Sequence, residues 1–339
     1  MSAAGTNGRL AAPGGQLERR LRQGAFVVTC ELGPPRGSDP RRIYEKARLL
    51  RGWVDAANLT DGQGAVVRMS PLAASRLCLE AGLEPVMQLG CRDRNRIALQ
   101  AEVLGAGALG IPNLLCLTGD HQRFGDQPEA KGVFDLDSVQ LLWLVRTLKL
   151  GTLLNGRPLQ GAPRLFVGCV ENPVAEPVEY RAARLRKKAA AGAQFCQTQL
   201  IYDVAAFARF MADVRRLDLH RRLFILAGVG PIRSARALRF MREHVPGLVI
   251  PEAVARRIER AAPARQDEEG IRLCVEIIEQ VRAIEGVAGV HIMAPEWEEA
   301  VPEIVARAGL QPRVALGERE GQPVGVEGAG MAGASRAMG

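Results

Sequence analysis

The stretch EPVMQLGCRDRNRIALQAEVLGAGALGIPNLLCLT, residues 84–118, decides the fold. It opens on a short apolar run, Glu84 to Leu89, continues through a helix candidate, Asn95 to Leu104, and ends on a second apolar run, Asn113 to Thr118. Two short runs joined through a helix read as parallel strands with a crossover, because parallel neighbours cannot be joined by a tight turn. The same unit repeats on either side. Strands are predicted at Phe26 to Leu32, Asp55 to Thr60, Arg164 to Cys169, Phe195 to Gln199, Phe224 to Gly228 and Val290 to Met293. Helices are predicted at Pro40 to Leu50, Pro71 to Ala81, Ser138 to Leu148, Val178 to Ala190, Val204 to Leu217 and Ser234 to Glu243. Further helix spans 251–285, and Glu296 to Ala308 closes the ring. Gly82 and Gly192 stop helices, while Asp203 and Ser234 cap the next ones. Eight such units predict an α/β protein with a (β/α)8 TIM barrel over residues 25–311, an open doubly wound sheet being the alternative. Residues 1–24 and 312–339, rich in glycine and poor in apolar periodicity, are expected to be flexible tails.

Composition narrows the function classes. The 339 residues are 47% hydrophobic and 24% charged, enough for a sizeable core. An aromatic content of 4% argues against a base-stacking platform for single-stranded nucleic acid. The net charge of +8 is scattered, and its densest run, Arg181 to Lys188, reads as a solvated helix face; phosphate-bearing cofactors and polyanionic substrates suit this balance better than nucleic acid. Seven cysteines, odd in number and without a CxxC spacing, point to a reducing cytoplasm. Cys30, Cys116, Cys169 and Cys196 lie in apolar runs and read as small buried hydrophobes. No signal-type core or long apolar run predicts secretion or a membrane span. His121, His220, His244 and His291 are dispersed, which favours surface or satisfied histidines and gives no metal site. No GxGxxG follows a strand, so a Rossmann unit is not indicated.

In a barrel of this kind the reactive groups gather where strands end. Glu31 sits at the end of the otherwise apolar Phe26 to Leu32, where a carboxylate is expensive to desolvate. Burial would raise its pKa and suit it to general acid work, and a buried ion pair with a neighbouring arginine is the structural alternative. Thr60 and Asp61 follow the second strand, Gln88 and Asp93 the third, Thr118 and Asp120 the fourth, Asn172 the fifth, and Gln199 and Tyr202 the sixth. Gly119 lets the backbone turn tightly beside Asp120, either toward a ligand or simply to cap the next element. Gln199 carries both donor and acceptor and suits a heterocyclic amide edge, or a tie between two strands.

Several segments taken in order resemble the methylenetetrahydrofolate reductase family. They are Thr29-Cys30-Glu31-Leu32-Gly33-Pro34-Pro35-Arg36-Gly37, Asn58-Leu59-Thr60-Asp61 with Arg68-Met69-Ser70-Pro71, and Cys91-Arg92-Asp93-Arg94-Asn95. The series continues in Leu117-Thr118-Gly119-Asp120, Lys188 with Ala191-Gly192-Ala193, Thr198-Gln199, Gly228-Val229-Gly230-Pro231 and Ile250-Pro251. The likeness runs from about Phe26 to Leu310. It implies a flavin at the barrel mouth, FAD with FMN as the alternative, and NADH or NADPH as electron donor. It further implies ping-pong reduction of 5,10-methylenetetrahydrofolate to 5-methyltetrahydrofolate, feeding methionine and one-carbon metabolism.

On this resemblance Glu31 matches the general acid, and Asp120 the carboxylate near both flavin and pterin. Gln199 matches a pterin contact, Thr60 a flavin contact, and Lys188 a residue reaching the cofactor's phosphate or ribose. Gln88 stands where many family members have His, and with Asn172 it completes the expected cofactor contacts. Arg181 stands where an acidic residue often meets the cofactor's sugar. These departures keep open a flavin-free folate-binding barrel serving a larger one-carbon complex; a folate-dependent methyltransferase is a separate alternative. A homo-oligomer and a partner reductase subunit are both compatible with the sequence.

Overall fold

The computed structural model describes residues 14–311 other than Pro246, together with Arg313. Its eight parallel strands close into a barrel in sequence order: β1 Val27–Leu32, β2 Ala56–Leu59, β3 Pro85–Gly90, β4 Asn113–Leu117, β5 Phe166–Glu171, β6 Phe195–Leu200, β7 Phe224–Val229 and β8 Val287–Ile292. The ring closes where Val28 pairs with Val290 and Thr29 with His291. The helices are α1 Gln16–Arg22, α2 Arg41–Leu50, α3 Pro71–Glu80, α4 Arg96–Ala108, α5 Ser138–Lys149, α6 Arg181–Ala191, α7 Val204–Arg216, α8 Ala235–His244, α9 Glu252–Arg260, α10 Gln266–Arg282 and α11 Ala300–Arg307.

Side-chain oxygens start many of the helices. Ser70 accepts from Ala73 N–H with Pro71 behind it, Asn95 accepts from Ile97 and Ala98, and Asp137 with Gln140 forms a reciprocal capping box. Asp203 and Ser234 cap α7 and α8 in the same way. Each satisfies backbone N–H groups that the first helical turn leaves without partners. All seven cysteines are buried and unpaired. Among the described residues no helix is long and apolar enough to cross a membrane.

Strand alternation divides the core in two. One set of side chains packs outward under the helices, and the other fills the barrel. Val27, Ala56, Val86, Leu115, Phe166, Phe195 and Leu226, one from each of β1 to β7, make the base of the interior. Phe166 and Phe195 stack there with ring centroids 5.0 Å apart. Gly168 makes room for them, since a Cβ at that position would lie 2.3 Å from Phe195 Cζ. Gly168→Ala should therefore lower stability by about 1–3 kcal/mol through overpacking, read as a lower urea midpoint with an unchanged slope.

The expected flexible segment 1–24 is corrected in its described part. Gln16–Arg22 is a helix whose Leu17 and Leu21, one turn apart, are buried against the interior base. Glu84 holds its start, accepting from Gln16 N–H at 2.5 Å and Leu17 N–H at 2.9 Å. Asp55 pairs with Arg20 of the same helix at 2.9 Å and with Arg313 at 3.1 Å. Two leucines on one short face are too little periodicity to stand out in the sequence, and the partners that fix the helix lie far along the chain. Residues 1–13, 312 and 314–339 of the two expected tails lie outside the described residues.

Candidate active site

At the C-terminal ends of the strands the barrel opens into a cavity of about 300 Å³. Glu31, Gln88, Asp120 and Gln199 all line it, from β1, β3, the turn after β4 and β6. Leu115, Leu117 and Val170 give it apolar wall. Among the described residues Glu31 has no arginine partner of the kind the structural alternative required. Its carboxyl accepts a 3.3 Å hydrogen bond from Gln63 Nε2. Burial pushes its pKa up to about 7, Gln63 acts the other way, and Glu298 adds a smaller upward push.

The turn after β2 ties the two expected catalytic carboxyls together. Gln63 reaches Glu31, and the next residue, Gly64, donates its N–H to Asp120 Oδ2 at 3.2 Å. Gly119 has φ +95°, a left-handed conformation that presents Asp120 to the mouth, and a Cβ at this position would lie 3.1 Å from Arg92 Cβ. Arg92 braces this rim by donating to Gly62 O and Asp120 O, its other face being taken by Asp93. Asp61 lines the cavity but is spoken for, accepting from Arg94 at 2.7 Å and Gly90 N–H at 2.8 Å. Gln199 Oε1 accepts from Leu200 N–H at 2.9 Å, and its Nε2 amide has no hydrogen-bond partner among the described residues.

The other expected cofactor residues stand apart. Thr60, 1% exposed, follows β2 next to mouth residues, and its Oγ1 has no partner among the described residues. Asn172 turns away to donate to Gly247 O at 2.8 Å. Lys188 is on the helix-facing side of β5, buried in an ion pair with Glu171 at 3.0 Å and bonded to Val170 O. Arg181 lies 3.7 Å from the same carboxylate and donates to Glu176 O and Pro177 O. The reading of Arg181 to Lys188 as a solvated face is thus corrected at both ends: the two residues are 6% and 4% exposed. Glu171, whose side is set by strand alternation, draws them in.

Below the mouth the barrel holds a polar layer that the sequence reading missed. Asn58 Nδ2 donates to Gln197 Oε1 at 2.6 Å, and Gln197 Nε2 donates to Asn58 Oδ1 and to Thr29 Oγ1, each at 3.1 Å. Thr29 Oγ1 lies 2.9 Å from His291 Nδ1. The signal was present as alternation. Thr29 and Gln197 sit two residues before the mouth positions Glu31 and Gln199, and Asn58 two before Thr60, so each shares the side of the sheet of its later neighbour.

The sequence matches the model of the methylenetetrahydrofolate reductase family over residues 16–309. It is 22% identical to a probable methylenetetrahydrofolate reductase (NADPH) of Caenorhabditis elegans, covering 87% of this chain and 44% of that protein. It is 25% identical to methylenetetrahydrofolate reductase (NADH) 1 of Arabidopsis thaliana, covering 85% and 49%. The chain thus spans about half the length of the curated relatives it matches. Among solved structures, an uncharacterized protein from Clostridium thermocellum that binds two copies of 5-methyl-5,6,7,8-tetrahydrofolic acid superposes with a TM-score of 0.61 over 85% of this chain and 97% of that one. At 13% identity this likeness speaks to the fold alone.

Proposed function

Since the chain belongs to the methylenetetrahydrofolate reductase family, we propose that it reduces 5,10-methylenetetrahydrofolate to 5-methyltetrahydrofolate at the barrel mouth, with flavin as cofactor and NADH or NADPH as electron source, the two substrates taking turns. The observation that carries this reading is one cavity lined by Glu31, whose carboxyl is poised near neutrality, together with Asp120 and Gln199.

The mouth fits the ring end of a flavin. A buried hydroxyl without a partner costs about 1–3 kcal/mol unless a ligand supplies one, and Thr60 offers such a group beside the cavity. Thr60, Gln88 and Asp120 would hold the ring. Hydride exchange with the nicotinamide and with the folate's methylene carbon is the chemistry a bound flavin supplies. The contacts that FAD and FMN share are the ones this chain offers, because Lys188 and Arg181 are both engaged by Glu171, and Asn172 by Gly247.

The residues' own work follows from the product. Its methyl stays on N5, so the bond from the bridging carbon to N10 must break, and N10 must leave protonated. With its pKa at about 7, Glu31 is protonated in a sizeable share of molecules at neutral pH, and in that form it gives its proton to N10 as the five-membered ring opens. The carboxylate it becomes is stabilised by Gln63 Nε2. Asp120, steadied by Gly64 N–H, places negative charge against the cationic iminium left on N5. Gln199 offers its amide to the pterin edge.

The visible absorption spectrum of the purified protein tests this. A flavin band should bleach with NADH or NADPH under anaerobic conditions and return on adding methylenetetrahydrofolate. The engagement of Lys188 and Arg181 by Glu171 favours one second reading, a folate-binding barrel without flavin that serves a larger assembly. A colourless protein that takes up neither FAD nor FMN yet binds 5-methyltetrahydrofolate would replace the reductase by that reading.

A further inference from the structure

The polar layer in the barrel makes an unbroken chain from Asn58 through Gln197 and Thr29 to His291. These residues come from β2, β6, β1 and β8, and none is more than 3% exposed. An apolar layer would stabilise a barrel at least as well, since buried polar groups gain little beyond their own satisfaction. What the chain adds is direction. Both N–H groups of Gln197 Nε2 are committed, to Asn58 Oδ1 and to Thr29 Oγ1. Thr29 therefore receives one proton and has its own to give, and His291 Nδ1 lies 2.9 Å away, nearer than the 3.5 Å to Val290 O. An imidazole that accepts at Nδ1 carries its proton on Nε2. With Nδ1 turned into the layer, the rest of the ring lines the mouth.

We propose that His291 is a ligand-binding residue, held as the neutral Nε2–H tautomer by Thr29 and its carboxamide partners, and that it donates this N–H to a carbonyl oxygen or bare ring nitrogen of a heteroaromatic ring seated in the mouth. Thr29 is the positioning residue. A donor that stays neutral reads an acceptor without adding charge beneath a site where Asp120 and Glu31 already manage charge. Burial supports this state by pushing the His291 pKa down to about 3. The strands flanking it bring no cation or carboxylate at its own level: β1 offers Thr29, with Glu31 two residues on, and β7 pairs Gly228 with His291. Pterin and flavin rings both carry acceptors of this kind, so the ligand half of the inference rests on the functional reading above, whereas the tautomer does not.

Long-range proton–nitrogen NMR correlation on protein labelled in its four histidines reads the tautomer directly. His291→Gln identifies the resonance, and Thr29→Val supplies the same identification if that variant fails to fold. His291 should show a protonated Nε2 and a bare Nδ1, unchanged from pH 5 to 8, and Thr29→Val should let the Nδ1–H form appear. The protein is then titrated separately with 5-methyltetrahydrofolate and with FMN, and binding is followed by the absorbance or fluorescence of each probe. The probe whose ring sits over His291 should move the Nε2–H signal downfield and leave Nδ1 bare. A protonated Nδ1, the result if both carboxamides are turned over, overturns the proposal, as does a titration midpoint between pH 5 and 8. Binding of both probes without movement of the Nε2–H signal removes the ligand role. If neither probe binds, the functional reading and the ligand role fall together, while the ligand-free spectrum still decides the tautomer.

Discussion

Glu31→Gln is expected to abolish reduction of methylenetetrahydrofolate while sparing both folate binding and bleaching of the flavin by nicotinamide. The amide keeps the shape and can still meet Gln63, but it has no proton to give N10, and loss of a positioned acid typically removes about 10²–10⁴ of rate. Single-turnover kinetics of the two half-reactions separate the outcomes, and equal loss in both would sink the general-acid role. The wild-type folate half-reaction should also fall as pH rises through about 7, where burial has set the carboxyl, and the residual rate of the variant should be flat there.

Stability should report the same group with a definite sign. A folded-state pKa raised from 4.5 to about 7 means that the folded protein binds this proton more tightly than the unfolded chain. The stabilising contribution is therefore full at low pH and is lost as pH rises through 7. Above pH 7 Glu31→Gln should melt higher than wild type, with a ceiling of roughly 3 kcal/mol, and the gap should close toward pH 5.

Lys188→Met should cost about 3 kcal/mol of stability, the lower end of the range for stripping one partner from a buried ion pair, because Arg181 stays 3.7 Å from the abandoned carboxylate. Pairing it with Glu171→Leu should recover only part of the loss, since the apolar pair replaces the ion pair but leaves the buried Arg181 without its carboxylate. Chemical denaturation of the single and double variants measures this, and flavin affinity of the double variant separates the roles. Unchanged affinity means that Lys188 serves the barrel wall; a tenfold or greater weakening would restore it to the cofactor.

Residues 84–118 carried the architecture because each β/α unit is local: a short apolar run, a capped helix and a glycine stop are all written within about 35 residues. All eight strands fall within three residues of their expected starts, and the largest shift, Val287 against Val290, precedes a run in which Gly286 and Gly289 dilute the apolar signal. Glu31, Gln88, Asp120 and Gln199 were legible as mouth residues because strand ends are fixed once strands are known. Lys188 was not, because the side of α6 it occupies depends on Glu171, a residue the expected fifth strand stopped short of. His291 was hidden for a related reason. Its place beside Thr29 exists only through pairing between the first and last strands, a contact spanning 262 positions.

That long span bears on how the chain reaches its shape as it is made. Asp55 grips Arg20 on one side of it and Arg313 on the other, so a single carboxylate fastens the first described helix and the last described residue. During synthesis the helix emerges with its leucines exposed, and Asp55 waits for its second partner until residue 313 is made. The barrel cannot shut until β8 has left the ribosome and reached β1, and non-local closure of this kind is slow. Early segments must therefore stay unaggregated while incomplete. A released chain truncated just before Arg313 would have its ring of strands but not its final latch, and Gln16–Arg22 should be more protease-sensitive in it than in the full chain.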